Sequence, residues 1–176
     1  MTDSITPAAV PDTSDAVAGL RDGDAVAALR RARDKVLLHT QLSEAALFDP
    51  ALPDLSLVER LHAARYVAQK SNAHALADLY RARLLDAGGT AGDIEQADTD
   101  AFDALSQRLG AILAHAKRLT RSPVDARASD LDALKSAGLT TSAIVALSQL
   151  VAFVAYQLRV AVAAQALQAR KTREAA

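Results

Sequence analysis

Apolar residues recur every three to four positions along most of the chain, with charged residues between them, which is the period of amphipathic helices. Ser56 and Glu59 have the capping-box spacing that marks a helix start, and Pro50 and Pro53 end the helix before it. The predicted helices cover residues 24–47, 56–70, 72–86, 98–118, 129–137 and 140–170. The pattern leaves open whether 56–70 and 72–86 form two helices or one kinked helix.

The last predicted helix is apolar almost all round. No charge occurs from Ser136 to Leu158, a run of about the length that spans a bilayer. Several polar residues interrupt that run, and Arg159 follows at once. These features favour a long buried C-terminal helix in a soluble oligomer, partly covered by another subunit, over a membrane span. A cytoplasmic location is therefore expected, with no membrane partner.

Composition favours an all-α fold. Alanine is abundant and aromatic residues make up only 3% of the 176 residues, whereas strands favour β-branched and aromatic side chains. The length suits one domain. We predict a flexible N-terminal tail over residues 1–20, a single helical domain of about six or seven helices over 21–170, and a C-terminal tail over 171–176.

Charge and cysteine content exclude several functions. The formal net charge of -1 excludes a generic nucleic-acid binder. The chain contains no cysteine, which excludes disulfides, thiolate metal sites and a cysteine nucleophile. It also lacks a zinc-binding histidine motif and a phosphate-binding glycine loop. We therefore expect no metal and no cofactor.

Polar side chains share helix faces in three places and form the candidate sites. The three groups are Glu59, His62 and Tyr66; Ser71, His74 and Asp78; and Gln149, Tyr156 and Arg159. The first two groups could equally be solvated helix faces, and the cap alone could explain Glu59. Arg159 lies among apolar residues, so we expect its guanidinium to be buried and paired, with Glu59 or Asp78 as partner, or to form a subunit-interface ion pair.

Two parts of the chain resemble the alkylhydroperoxidase D-like, or carboxymuconolactone decarboxylase (CMD), superfamily. The first is LSLVERLH at 55–62 followed by SNAHALAD at 71–78. The second is LTRSP at 119–123, AGLT at 137–140 and IVALSQLVAFVAYQLR at 144–159, which is similar to the peroxidase-related branch. The resemblance covers roughly residues 25–168. It implies an AhpD-like helical bundle that assembles into dimers, trimers or hexamers.

Active members of that superfamily carry a glutamate, a Cys-x-x-Cys pair and a histidine. The matching positions here hold Glu59, Ser71, His74 and Asp78, so only the glutamate is retained. A serine hydroxyl and an imidazole cannot replace the attacking thiolate or form a disulfide. The resemblance therefore implies a cysteine-lacking CMD-domain protein of unassigned activity and argues against thiol peroxidase activity.

Three functions remain open. The first is a ligand-binding or scaffold role in a homo-oligomer. The second is a cysteine-free lyase or isomerase acting on a small organic acid, with His74 or His62 as general acid/base, Glu59 as its partner and Arg159 as a carboxylate clamp. The third is a pure interaction protein in which the final helix builds the oligomer and the polar groups bind nothing.

Overall fold

The computed structural model of the protein describes residues 12–174. Within that range the chain forms nine α-helices and two short 3₁₀ turns, and no strand is present. The all-α prediction is confirmed, but this range contains nine α-helices where about six or seven were predicted. The helices are α1 (Thr13–Ala18), α2 (Ala25–Arg31), α3 (Asp34–Leu47), α4 (Leu57–Lys70), α5 (His74–Asp86), α6 (Ala91–Asp98), α7 (Gln107–Arg121), α8 (Ala128–Ser136) and α9 (Thr141–Glu174), and the 3₁₀ turns are Phe102–Ala104 and Pro123–Asp125.

The structure differs from the sequence prediction near the N-terminus. The segment predicted as a tail contains α1, which the side chain of Asp12 caps by accepting the amides of Ser14 and Asp15. Residues 1–11 of that predicted tail lie outside the described residues. The predicted helix 24–47 is two helices, α2 and α3, because the chain turns at residues 32–33. No proline or glycine occurs at that turn, and the apolar period continues through it, so the sequence predicted one helix.

The chain folds as two compact units. The first combines residues 12–45 with 159–174. Polar bonds tie its segments together: Arg30 pairs with Asp12 at 3.0 Å and also with Asp15, and Thr13 donates to Glu44 at 2.9 Å. These bonds join α1 to α2 and to α3 within this unit.

The second unit comprises residues 46–158, and α4 is its central helix. Helices α5, α6 and α7 all pack against α4, and α8 packs against α7. Every residue from Arg60 to Ala68 is buried as a result. The stripe containing His62 and Tyr66, which sequence alone would also allow as a solvated face, therefore lies inside the unit.

Two boundaries in this unit were not predicted. Helix α6 was missed because Ile94 and Ala97 are its only buried residues and give little period. Its start is capped by the Thr90 hydroxyl. The next helix was predicted to start at residue 98, but Asp98 ends α6, and α7 begins after Ser106 caps its first turn. The connection between α4 and α5 is also settled: these are two helices, separated by a turn with Asn72 at a φ of 58°.

Helix α9 continues to Glu174, beyond its predicted end at residue 170 and into the segment predicted as a C-terminal tail, and it is not buried all round. By length and composition alone it could cross a membrane, and 39% of its most apolar window is buried. That is weak support for a membrane span, because the core helix of a soluble protein passes the same test. Val145 remains half exposed, whereas Leu147, Leu150 and Val154 are fully buried.

Candidate functional site

Glu59 lies in the first turn of α4, where both oxygens of its carboxylate are engaged. One oxygen, Oε2, accepts the backbone amide of Ser56 at 2.8 Å, which completes the predicted capping box. The other, Oε1, accepts Nε of Arg108 at 2.6 Å. Since the Glu59 side chain is only 17% exposed, this ion pair is partly shielded from water. Helix capping and the bond to Arg108 together fix the carboxylate.

Arg108 on α7 joins three segments of the second unit. Besides Glu59, its guanidinium donates to the carbonyl of Gly138 at 2.8 Å and to the carbonyl of Asp54. Asp54 has a positive φ of 67°, and its carboxylate accepts the Thr140 hydroxyl at 2.9 Å. Sequence reasoning missed Arg108, because nothing in its local pattern distinguishes it from a solvated arginine.

Ser71, His74 and Asp78 lie around the turn between α4 and α5. Ser71 is the C-terminal cap of α4, and His74 is the first residue of α5. His74 and Asp78 are both exposed. In residues 12–174 no hydrogen bond or ion pair joins either of them to Glu59. The structure therefore places the four family-matching positions on neighbouring helices without a bonded acid–base pair.

Tyr66 is fully buried, and its hydroxyl is held by an acidic residue beyond α6. The phenol donates to Oδ1 of Asp100 at 2.8 Å. Burial, this bond and the nearby negative charge all raise the pKa of Tyr66. The predicted binding residue is thus a neutral donor whose proton is committed to Asp100.

Asp100 forms ion pairs with two lysines in addition to its hydrogen bond with Tyr66. Lys70 lies 2.8 Å from Oδ1 and Lys117 lies 2.9 Å from Oδ2. Burial acts to raise the pKa of this carboxyl, but the bonds from Lys70, Lys117 and Tyr66 outweigh it and lower the pKa to about 2. The cluster ties the end of α4 to α7, and its charges are bonded to one another.

Two buried arginines on α4 were not predicted as site or core residues. Arg60 is fully buried and donates to the carbonyls of Leu47 and Asp49 at 2.7 and 2.8 Å. Arg65 makes a two-fold bond to the carboxylate of Asp98 at 2.8 and 2.7 Å. These arginines hold chain segments around α4 in place, which is a structural role.

Two buried histidines have a ring nitrogen without a hydrogen-bond partner. Nε2 of His62, on α4, and Nδ1 of His115, on α7, are both buried and unpartnered. The Ser148 hydroxyl donates to the Ile144 carbonyl, so Nε2 of His115, 3.2 Å from the Ser148 oxygen, must be the donor in that contact. Burial lowers the pKa of both histidines, so both are neutral near pH 7.

The third predicted group lies on α9. Gln149, Tyr156 and Arg159 are all exposed. Arg159 is therefore not buried within the single chain, and its subunit-interface ion pair stays a prediction. The buried polar residue of this stretch is Gln157, whose Oε1 accepts the Tyr80 hydroxyl at 2.6 Å. The sequence pattern missed it by choosing the wrong side of the helix.

The arrangement offers no metal site in the part of the chain that the structure describes. No group of three or more histidine, cysteine, aspartate or glutamate side chains lies close enough to hold an ion there.

Comparisons with known proteins support the fold. No family model matches the chain, and no curated protein matches it. Among solved structures, it is similar to an uncharacterized peroxidase-related protein from Silicibacter sp. TM1040, with a TM-score of 0.66 and 22% sequence identity. The match covers 73% of this chain and 67% of that one. The chain therefore has an all-helical fold shared with a peroxidase-related protein.

Proposed function

We propose that this chain is a cysteine-lacking CMD-domain protein with an AhpD-like fold, in which the peroxidase site no longer carries out thiol chemistry. In this proposal it is a ligand-binding or scaffold subunit of a cytoplasmic homo-oligomer. The fold shared with a peroxidase-related protein supports the first part. The absence of cysteine from the sequence supports the second.

One observation carries the proposal: the only retained residue of the family motif is engaged by structural bonds. Glu59 accepts the amide of Ser56 with one oxygen and Arg108 with the other. A carboxylate that moves a proton during catalysis must present a lone pair to its substrate within hydrogen-bond reach. Each oxygen of Glu59 already accepts a donor from the protein, which favours a structural role.

Of the two positions compared with the family's cysteine pair, position 74 would favour a reactive thiol. Ser71 ends α4 and His74 begins α5, so the side chain at 74 lies at a helix N-terminus, where the dipole stabilises a thiolate. If the match is in the correct register, the variant S71C/H74C should form an intramolecular disulfide under mild oxidation. The variant S71C/A75C, whose spacing differs by one residue, is the matched control.

The lyase or isomerase alternative makes a different demand on the same residues. It needs His74 or His62 to act on a small organic acid with Glu59 as partner. A thermal-shift series with small carboxylates separates the two functions. Stabilisation that is lost in H74Q but kept in D78N would favour the lyase, whereas no shift with any acid favours a scaffold.

Sedimentation velocity tests the oligomer directly. A mass of two or more whole multiples of 18.5 kDa supports the proposal, and a monomer at every concentration contradicts it.

A further inference from the structure

Helix α8 lies along the face of α7 that carries His115. At the start of α8, Oδ2 of Asp130 lies 3.5 Å from Nε of Arg118 on α7. Beyond the end of α8, the carbonyl of Gly138 accepts a hydrogen bond from Arg108 of α7 at 2.8 Å. His115 comes seven positions after Arg108 and three before Arg118, so all three share one face of the helix. The middle of α8 therefore lies over His115.

The imidazole of His115 is shielded from water at this interface. The residue is only 6% exposed, and its Nε2 donates to the Ser148 hydroxyl on α9 at 3.2 Å. The other ring nitrogen, Nδ1, is buried and has no hydrogen-bond partner in residues 12–174. In this tautomer Nδ1 carries the lone pair that takes up a proton. A proton added there would be buried without an acceptor as long as α8 stays in place.

The charged groups around this interface lie on α8, α7 and α4, and they are bonded to one another. Asp130 of α8 pairs with Arg118, and Arg108 is bonded to Glu59 of α4. Helix α9 supplies a hydroxyl to the ring and no charge. Burial lowers the pKa of His115 and outweighs the opposite effect of Asp130. The neutral ring is therefore the favoured form while α8 is docked.

Helix α8 is held by few contacts. Leu134 is the only buried residue within α8, and it is fully buried. The side chains of Asp130 and Arg118 are 26% and 41% exposed, so their ion pair adds little. In α4, by contrast, every residue from Arg60 to Ala68 is buried. A segment with few buried contacts opens locally at low cost, whereas a central helix such as α4 opens only with the whole unit.

We propose that α8 is an acid-released lid on α7, which undocks when the imidazole beneath it takes up a proton. The device needs only one copy of the chain and does not depend on the oligomer proposed above. Above about pH 7 the ring is neutral, and Leu134 keeps the lid closed. Below about pH 6.5 the ring of the open state, which water reaches, binds a proton before the ring of the closed state does. Acid therefore favours opening, which uncovers His115.

Native-state hydrogen exchange of the full chain tests whether the lid opens by itself. The protection of residues 128–136 is measured at neutral pH and at about pH 5, corrected for the intrinsic exchange rate, with and without a low concentration of urea. We expect protection to fall by up to about tenfold per pH unit below about pH 6.5, and low urea to have no effect, because a local opening exposes little surface. Equal protection at the two pH values would overturn the inference. A loss that follows urea in step with α4 would also overturn it, because α8 would then open only with the whole unit.

The variant H115Q shows whether this histidine is the sensor. A glutamine amide can still donate to Ser148 but takes up no proton near neutral pH, so α8 should keep the same protection at both pH values. H62Q is the matched control, because it removes the other buried histidine with an unpartnered ring nitrogen, on α4. It should leave the pH dependence of α8 unchanged. Acid opening of α8 that persists in H115Q, or that disappears in H62Q, would overturn the assignment of the sensor.

A measurement on the natural chain keeps the test decisive if H115Q does not fold. Histidine-selective NMR follows the protonation of each imidazole as the pH is lowered. We expect His115 to titrate at a lower pH than the exposed His74, and the protection of α8 to stop falling at the titration midpoint of His115. A His115 ring that titrates with His74, or a loss of protection that ends at an unrelated pH, would overturn the proposal.

Discussion

The bond between Glu59 and Arg108 gives the sharpest test of a structural role for the retained glutamate. In the variant E59A, the amide of Ser56 and the guanidinium of Arg108 each lose an acceptor. Loss of the capping bond costs about 0.5–1 kcal/mol. The charge-assisted bond to Arg108 is partly exposed, so we reduce its value to about 1–1.5 kcal/mol.

Together these losses predict that E59A lowers the free energy of unfolding by about 2 kcal/mol, or about 4–8 °C in melting temperature for a chain of this size. Urea unfolding measured by circular dichroism checks this value. S56A is the matched control, because it removes the other half of the capping box and keeps the ion pair. E59Q should cost about half as much as E59A, since its amide oxygen can still accept one bond.

The double variant E59A/R108A isolates the ion pair from the cap. We expect a coupling energy of about 1 kcal/mol between the two positions. Active-site residues are often unfavourable for stability, so replacing one commonly leaves a protein unchanged or more stable. An E59A variant that is at least as stable as the natural chain would refute a structural role for Glu59.

Three further predictions concern buried groups in the second unit. Burial lowers the pKa of His62 and His115, so the unfolded chain binds protons before the folded chain as pH falls below about 6.5. The free energy of unfolding should therefore be highest above about pH 7 and fall towards pH 5, by up to about 1.4 kcal/mol per pH unit for each histidine. The double variant H62Q/H115Q should flatten this pH profile when it is measured by urea titration. R60M removes the donor to the partly buried carbonyls of Leu47 and Asp49 and should cost about 2 kcal/mol in the same assay, whereas an unchanged midpoint would show that water replaces the guanidinium. G110A should lower the free energy of unfolding by about 1–3 kcal/mol, because its Cβ would clash with the 3₁₀ turn Phe102–Ala104. G92A is the control: a Cβ there has its nearest contact at 3.9 Å and should stabilise α6 by about 0.5–1 kcal/mol. Melting temperatures equal to that of the natural chain would contradict both expectations.

Much of the fold could be predicted because strong local signals mark it. The capping box at Ser56 and Glu59 fixed the start of α4, and the two glycines after residue 87 ended α5. Helices with weak local signals were not predicted. Helix α6 has only Ile94 and Ala97 to bury, so its period could not be separated from that of a loop.

The candidate site was harder to predict because its bonds are long-range. Glu59 and Arg108 are 49 positions apart, and no local pattern reveals that they meet. On α9 the sequence shows polar residues on several faces, and only packing decides that Gln157 is inward while Arg159 is exposed. The match of these positions to the family motif stays a prediction, and which of their side chains contact each other could not be predicted.

Consumption of an organic hydroperoxide tests the central claim most directly. The purified chain is mixed with cumene hydroperoxide and a dithiol reductant, and peroxide loss is followed against a protein-free blank. We predict that the two rates are equal at every protein concentration, because neither Ser71 nor His74 can form the required thiolate or disulfide. A rate that rises in proportion to protein concentration would contradict the account.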